Sequence, residues 1–186
     1  LLLFTMKLVV GTLAASVSIT ADAMNNLSDA TSSIVTLLGF KLAEKPADED
    51  HPYGHARYEY LSGLAVAAMI IVIGFELAKT SVQKIFDPTP VEFSVAVAIV
   101  LIGSIIVKLW LCLFNRKLGK HIESSALLAT SADSRNDAIS TSAVLVAALI
   151  ELLTRWRIDG YMGLAVALFI LYSGAMLAKD TISPRV

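Results

Sequence analysis

Cysteine, histidine and net charge are all scarce in this chain, and each scarcity narrows the reading. The single cysteine, Cys112, lies in an apolar run, so neither a disulfide framework nor a thiolate metal site can form within one chain. It reads as a small buried or lipid-facing side chain. A formal net charge of −1 over 186 residues, with no basic cluster, argues against a nucleic-acid partner. There is no low-complexity tract and no internal repeat. The five prolines fall outside the apolar runs, and four of them mark breaks between runs.

What is abundant is hydrocarbon. The chain is 56% hydrophobic with a mean hydropathy of +0.71, far more apolar than a soluble domain of this length. Six apolar segments emerge, near 1–15, 17–43, 57–85, 91–115, 125–154 and 160–181. Each complete segment is long enough to cross about 30 Å of hydrocarbon at about 1.5 Å per residue. The first is short. It lacks the basic flank of a signal peptide and is expected to be a truncated helix. The breaks are Lys45 to Gly54, Asp87-Pro88-Thr89-Pro90, Asn115 to Lys120, and Arg155 to Gly160, where Trp156 and Tyr161 suit a membrane interface. The expected fold is an all-α membrane protein, a six-helix transmembrane bundle occupying 1–186.

Loop charges give the orientation. Lys41, Lys45, Arg57, Arg116, Lys117, Lys120, Lys179 and Arg185 fall on one side of a six-helix path, whereas Lys79, Lys84, Arg155 and Arg157 fall on the other. The richer side is cytoplasmic by the positive-inside rule, which places both termini in the cytoplasm of a plasma-membrane protein.

Two spacings carry the chemistry: Asn25-x-x-x-Asp29 in the second segment and Asp133-x-x-x-Asp137 in the fifth. Residues four apart share one helix face, about 6 Å apart along the axis. If these antiparallel segments touch, Asn25 stands level with Asp137 and Asp29 with Asp133, close to the midplane. Carboxylates at membrane depth are costly and usually mark an ion or proton path. Four oxygen donors without imidazole or thiolate suit a hard cation, Mn²⁺ first, with Fe²⁺, Co²⁺ or Cd²⁺ as passengers. Magnesium is disfavoured because it dehydrates reluctantly. The competing account pairs these acids with Lys108 or Arg135 to hold helices together. Arg135, two residues from both Asp133 and Asp137, should point away from them. Asp22 shares the Asn25/Asp29 face and is either an exit-path carboxylate or a helix-start group.

The run Ala21-Asp22-Ala23-Met24-Asn25-Asn26-Leu27-Ser28-Asp29, then Pro46-Ala47-Asp48 and His51-Pro52-Tyr53-Gly54-His55, then Ala132-Asp133-Ser134-Arg135-Asn136-Asp137, resembles the cation diffusion facilitator family over essentially the whole chain. The resemblance implies a homodimer of six-helix subunits that exports divalent metal from the cytosol in exchange for protons. It also implies a cytoplasmic ferredoxin-like domain after the sixth helix, absent from this sequence. Zinc-transporting relatives usually carry a histidine at the position of Asp133 or Asn25. The pattern here resembles the manganese branch, and proton exchange then falls to the carboxylates. Asp48, His51 and His55 match a second metal site of some relatives, and Pro52 and Gly54 disfavour a helical His pair there. The alternative there is a solvated acidic loop.

Gly63, Ala67, Gly163, Ala167 and Gly174 permit close helix approach. Glu59, Glu76 and Glu151, near helix ends, read as interface residues, and His121 has no assigned role. The leading expectation is a proton-coupled Mn²⁺ efflux transporter working by alternating access, with no resident cofactor. Export of Fe²⁺ or Zn²⁺ is the alternative within transport, and a non-transporting scaffold the alternative outside it. An intramembrane enzyme is disfavoured because Ser131, Ser134 and Ser140 have no histidine base at depth.

Overall fold

The computed structural model describes residues 1–43, 57–123, 125–154 and 156–182. Within them the chain forms six helices: α1 (Leu2–Leu13), α2 (Val17–Ala43), α3 (Arg57–Phe86), α4 (Val95–His121), α5 (Ser125–Thr154) and α6 (Asp159–Ile182). No strand occurs among the described residues.

The distribution of side chains is that of a bundle solvated by lipid. Val72, Phe75, Ile99, Ile106, Trp110 and Leu113 are exposed, whereas Lys7, Asp22, Ser104, Asp137 and Thr141 are buried. Large apolar groups on the outside, around a core that mixes apolar residues such as Ile19, Leu101 and Ile170 with buried polar ones, depart from the rule for soluble proteins, and the departure is stable when the surroundings are hydrocarbon. Four stretches are long and apolar enough to cross a membrane: Leu61–Phe86, Val95–His121, Thr130–Thr154 and Asp159–Lys179. The second segment, expected to span like the others, has the length at 27 residues but stays outside that set. Asn25, Asn26, Ser28, Asp29, Ser32 and Ser33 make it polar through its middle. Of the two helices that carry candidate ligands, α2 is thus the one less suited to lipid.

Packing is densest between α3 and α6 and between α4 and α5, with α2 set against α3, α6 and α1. Small residues allow this. A Cβ on Gly74 of α3 would lie 2.8 Å from Leu171 Cγ of α6, and one on Gly163 of α6 would lie 2.8 Å from Ser81 Oγ of α3. Gly63 and Gly174 also meet the partner helix, at Thr181 and Ile71. The small residues of the third and sixth segments therefore serve packing within the chain.

One boundary differs from expectation. The basic run Asn115 to Lys120 is not a break: α4 begins later, at Val95, with the Ser94 side chain accepting from Val97 N, and continues to His121. Arg and Lys are good helix formers, and Gly119 is held inside α4 by close packing on Leu127 and Leu128. The chain turns only afterwards, where Glu123 takes a left-handed φ of 53°.

The connections α1–α2, α3–α4 and α5–α6 meet at one end of the bundle, as an up-and-down path requires. Asp159, opening α6, binds them together. One oxygen accepts from Ser16 Oγ at 2.5 Å and from the Ser18 hydroxyl, and the other accepts from Val17 N at 2.7 Å. These are the free N–H groups and cap of α2, where a carboxylate is favoured by the helix dipole. Lys84 Nζ, near the end of α3, lies 2.8 Å from Asp159 and donates to the carbonyl of Ala15, which has a left-handed φ of 51°. Glu151 of α5 accepts from Asp159 N at 3.3 Å and from Val91 N at 3.2 Å. It is a buried structural acid, not an interface residue. Arg157, from the poorer side of the charge pattern, donates to the carbonyl of Pro88. Arg155, Lys45 and Arg185 lie outside the described residues.

Removing one member of a buried ion pair typically costs about 3–5 kcal/mol. Lys84→Met is expected to lower the apparent unfolding midpoint in detergent, and Asp159→Ala to lower it further, because it also strips Val17 N and the Ser16 and Ser18 hydroxyls of their acceptor. Equal midpoints for the two variants would show that the helix-start contacts contribute nothing.

Candidate metal centre

The Asn25-Asp29 face of α2 and the Asp133-Asp137 face of α5 do meet. Asn25 Nδ2 donates to Asp137 Oδ1 at 2.9 Å, the level pairing expected for antiparallel neighbours. Asn25, Asp29, Asp133 and Asp137 all line one cavity of about 390 Å³. Ser28 and Ser32 of α2, Thr130, Ser134 and Asn136 of α5 and Ser173 of α6 add oxygens to its wall, and Ile70, Phe169, Ile170 and Leu177 close its apolar side.

Within the cavity the acids are spread rather than gathered. Asp137 is enclosed, with its side chain 10% exposed, whereas that of Asp29 is 50% exposed. Asp133 is exposed. Asp29 interacts electrostatically with Asp137 and Asp133, but no group of three or more acidic, histidine or cysteine side chains among the described residues closes to metal-holding distance. The geometry is an open, oxygen-rich vestibule: a cation can be drawn in by charge, and a coordination shell requires the side chains to converge.

A cation is built into this vestibule. Lys108 of α4 donates to Asp137 Oδ2 and stands 3.8 Å from Asp29 Oδ2. Of the two cations weighed from sequence as partners for these acids, Lys108 is the one that reaches them. Arg135 does point away, lining a separate cleft with Cys112, Arg116 and Ser131. The signal for Lys108 was legible: it is the lone charge in the run from Val95 to Asn115, at the centre of a helix too long for its amine to reach water easily.

Asp22 fits neither role expected for it. Lys7 Nζ of α1 binds its Oδ2 at 2.8 Å and Thr141 Oγ1 of α5 at 2.9 Å. Thr141 in turn donates to the same aspartate oxygen at 2.9 Å. Lys7 and Asp22 are 0% and 1% exposed, so this is a closed triad joining three helices. Sequence alone missed it because Lys7 sits in a short segment with no visible partner. Asp48, His51 and His55 lie outside the described residues.

A helical membrane bundle with a cavity lined by carboxylates and amides from α2 and α5 has the architecture of an integral membrane protein with charge at depth, a feature of ion-handling proteins. The chain belongs to the cation efflux family: residues 1–184 match its transmembrane domain. It is 34% identical over 184 residues to the manganese efflux system protein MneS of Bacillus subtilis, covering 97% of this chain and 62% of that protein. An uncharacterized transporter of Methanocaldococcus jannaschii is 34% identical over 170 residues, 91% of this chain and 60% of that protein. The cation-efflux pump FieF of Shewanella oneidensis is 29% identical over 170 residues, 91% of this chain and 57% of that protein. The chain thus spans about three fifths of the length of these relatives.

Proposed function

We propose that this chain is the membrane domain of a divalent-metal efflux transporter whose principal cargo is Mn²⁺. The observation that carries the reading is the convergence of Asn25, Asp29, Asp133 and Asp137 on one cavity. Membership of the cation efflux family supports the transport class, and the name of the Bacillus subtilis relative supports manganese. Ligand chemistry argues the same way. Three carboxylates and an amide form a hard, oxygen-only set, suited to a cation that accepts more than four oxygens and sheds water more readily than Mg²⁺. Fe²⁺ and Zn²⁺ are the competing cargoes, and zinc is the worse match because imidazole or thiolate is missing from the set.

The cycle proceeds by alternating access. Metal enters the vestibule from the cytoplasmic side, Asp29 and Asp133 close on it with Asp137, and Asn25 turns its amide oxygen inward. Protons taken up by the emptied carboxylates reset the inward-facing state, which makes the exchange a metal/proton antiport. The working unit is a homodimer in the plasma membrane with both termini cytoplasmic. Asp48, His51 and His55, which lie outside the described residues, are the candidates for a second, cytoplasmic metal site, with a solvated acidic loop as the alternative.

Uptake of a panel of divalent ions into inverted vesicles, with and without a pH gradient, tests the class. Mn²⁺ uptake should exceed that of the other ions and collapse when the gradient is dissipated; gradient-independent uptake would remove the proton coupling. Asp29→Ala and Asp137→Ala should each lower transport by at least about 100-fold, since even groups that only support a metal ligand are worth about 10–100-fold. Parental rates in either variant at normal expression would defeat the site.

Selectivity gives a sharper prediction. Asp133→His introduces a softer ligand and removes a negative charge, so the Mn²⁺:Zn²⁺ rate ratio in matched vesicles should fall. An unchanged ratio in a folded, active variant would mean that ligand type does not set selectivity here.

A further inference from the structure

We propose that Lys108 is an intramolecular counter-cation that competes with the metal for Asp137 and must be displaced for loading, thereby setting metal affinity. The inference rests on the metal reading of the same cavity and adds a residue outside the ligand set. Both oxygens of Asp137 are engaged: Oδ1 accepts from Asn25 and Oδ2 from Lys108. The ammonium also lies 3.8 Å from Asp29, so it stands between two of the carboxylates a metal would use. A divalent ion coordinated at about 2–2.5 Å by both acids and an ammonium in its present place would overlap in position and repel.

The position of Lys108 explains why it is there. It stands midway between Val95 and His121, the ends of the span whose most apolar 18-residue stretch has a mean hydropathy of 2.6. Its side chain is 13% exposed and turned inward, while Ile106, Leu109 and Trp110 around it face outward. A lysine at such depth is costly unless matched by an acid. The acids gain equally, because without an ammonium the vestibule would hold three carboxylates with no cation. Lys108 therefore lets the cavity persist between loads, and it weakens metal binding enough for release.

Titrating Mn²⁺ by calorimetry into the full chain in detergent tests this against Lys108→Met, Lys108→Arg and Asp137→Asn. Removing a competing unit charge at contact distance should tighten Mn²⁺ binding on the order of tenfold or more in Lys108→Met, and Lys108→Arg should restore affinity toward the parent. A lysine acting only as a structural strut predicts weaker or unchanged binding in Lys108→Met, and that result overturns the inference. Asp137→Asn separates the two readings. Retained binding there overturns the metal site and the inference with it; lost binding there beside unchanged affinity in Lys108→Met overturns the inference alone. Should Lys108→Met fail to fold, the parent decides by acetylation read by mass spectrometry. Saturating Mn²⁺ should raise modification of Lys108 severalfold, and an unchanged or lowered yield overturns the proposal.

Discussion

A charge surrounded by hydrocarbon must find its opposite within the protein, and this rule organises the bundle. Among the described residues, three inward lysines answer three aspartates: Lys7 with Asp22, Lys84 with Asp159, and Lys108 with Asp137. Each pair joins different helices: α1 to α2, α3 to α6, and α4 to α5. Apolar packing between transmembrane helices has little hydrophobic drive, since lipid tails are as apolar as leucine. The pairs thus specify which helices meet and at what level, while Gly74 and Gly163 bring α3 and α6 close enough to interlock.

The pairs differ in how completely they are satisfied. Asp159 is surrounded by hydroxyls, backbone N–H groups and an ammonium, and Asp22 shares a closed triad with Lys7 and Thr141. Such fully satisfied networks favour rigidity. Asp137 differs because its ammonium is shared with a half-exposed Asp29 beside an open cavity. The pair beside the cavity is the one left incompletely enclosed, and the closed pairs hold the frame around it.

Much of this was legible in the residues. Apolar runs and the breaks between them gave the six helices, four of them long and apolar enough to meet the roughly 20 residues needed to span a bilayer. The two four-residue spacings gave the Asn25–Asp137 meeting, because helix periodicity and antiparallel direction together set their level. Other features depended on three-dimensional choice. Nothing local told Asp22 to take Lys7, fifteen residues away, with Thr141 from α5. The extension of α4 through Arg116, Lys117 and Lys120 was hidden because charge resembles a loop signal, whereas these residues favour helix and Gly119 packs on α5. Glu151 looked peripheral because its partners, the N–H groups of Val91 and Asp159, are backbone atoms without a sequence signature.

The polarity of α2 bears on how the protein is made. A segment carrying Asp22, Asn25, Asn26 and Asp29 partitions poorly from an insertion channel into lipid when it emerges alone. Lys7 is buried against Asp22 across a turn of only a few residues. The two helices can leave the channel together as a hairpin, each masking the other's charge before α5 has been synthesised. Thr141 then completes a contact already begun, and the least lipid-compatible helix is passed from one protein partner to the next without having to face the membrane by itself.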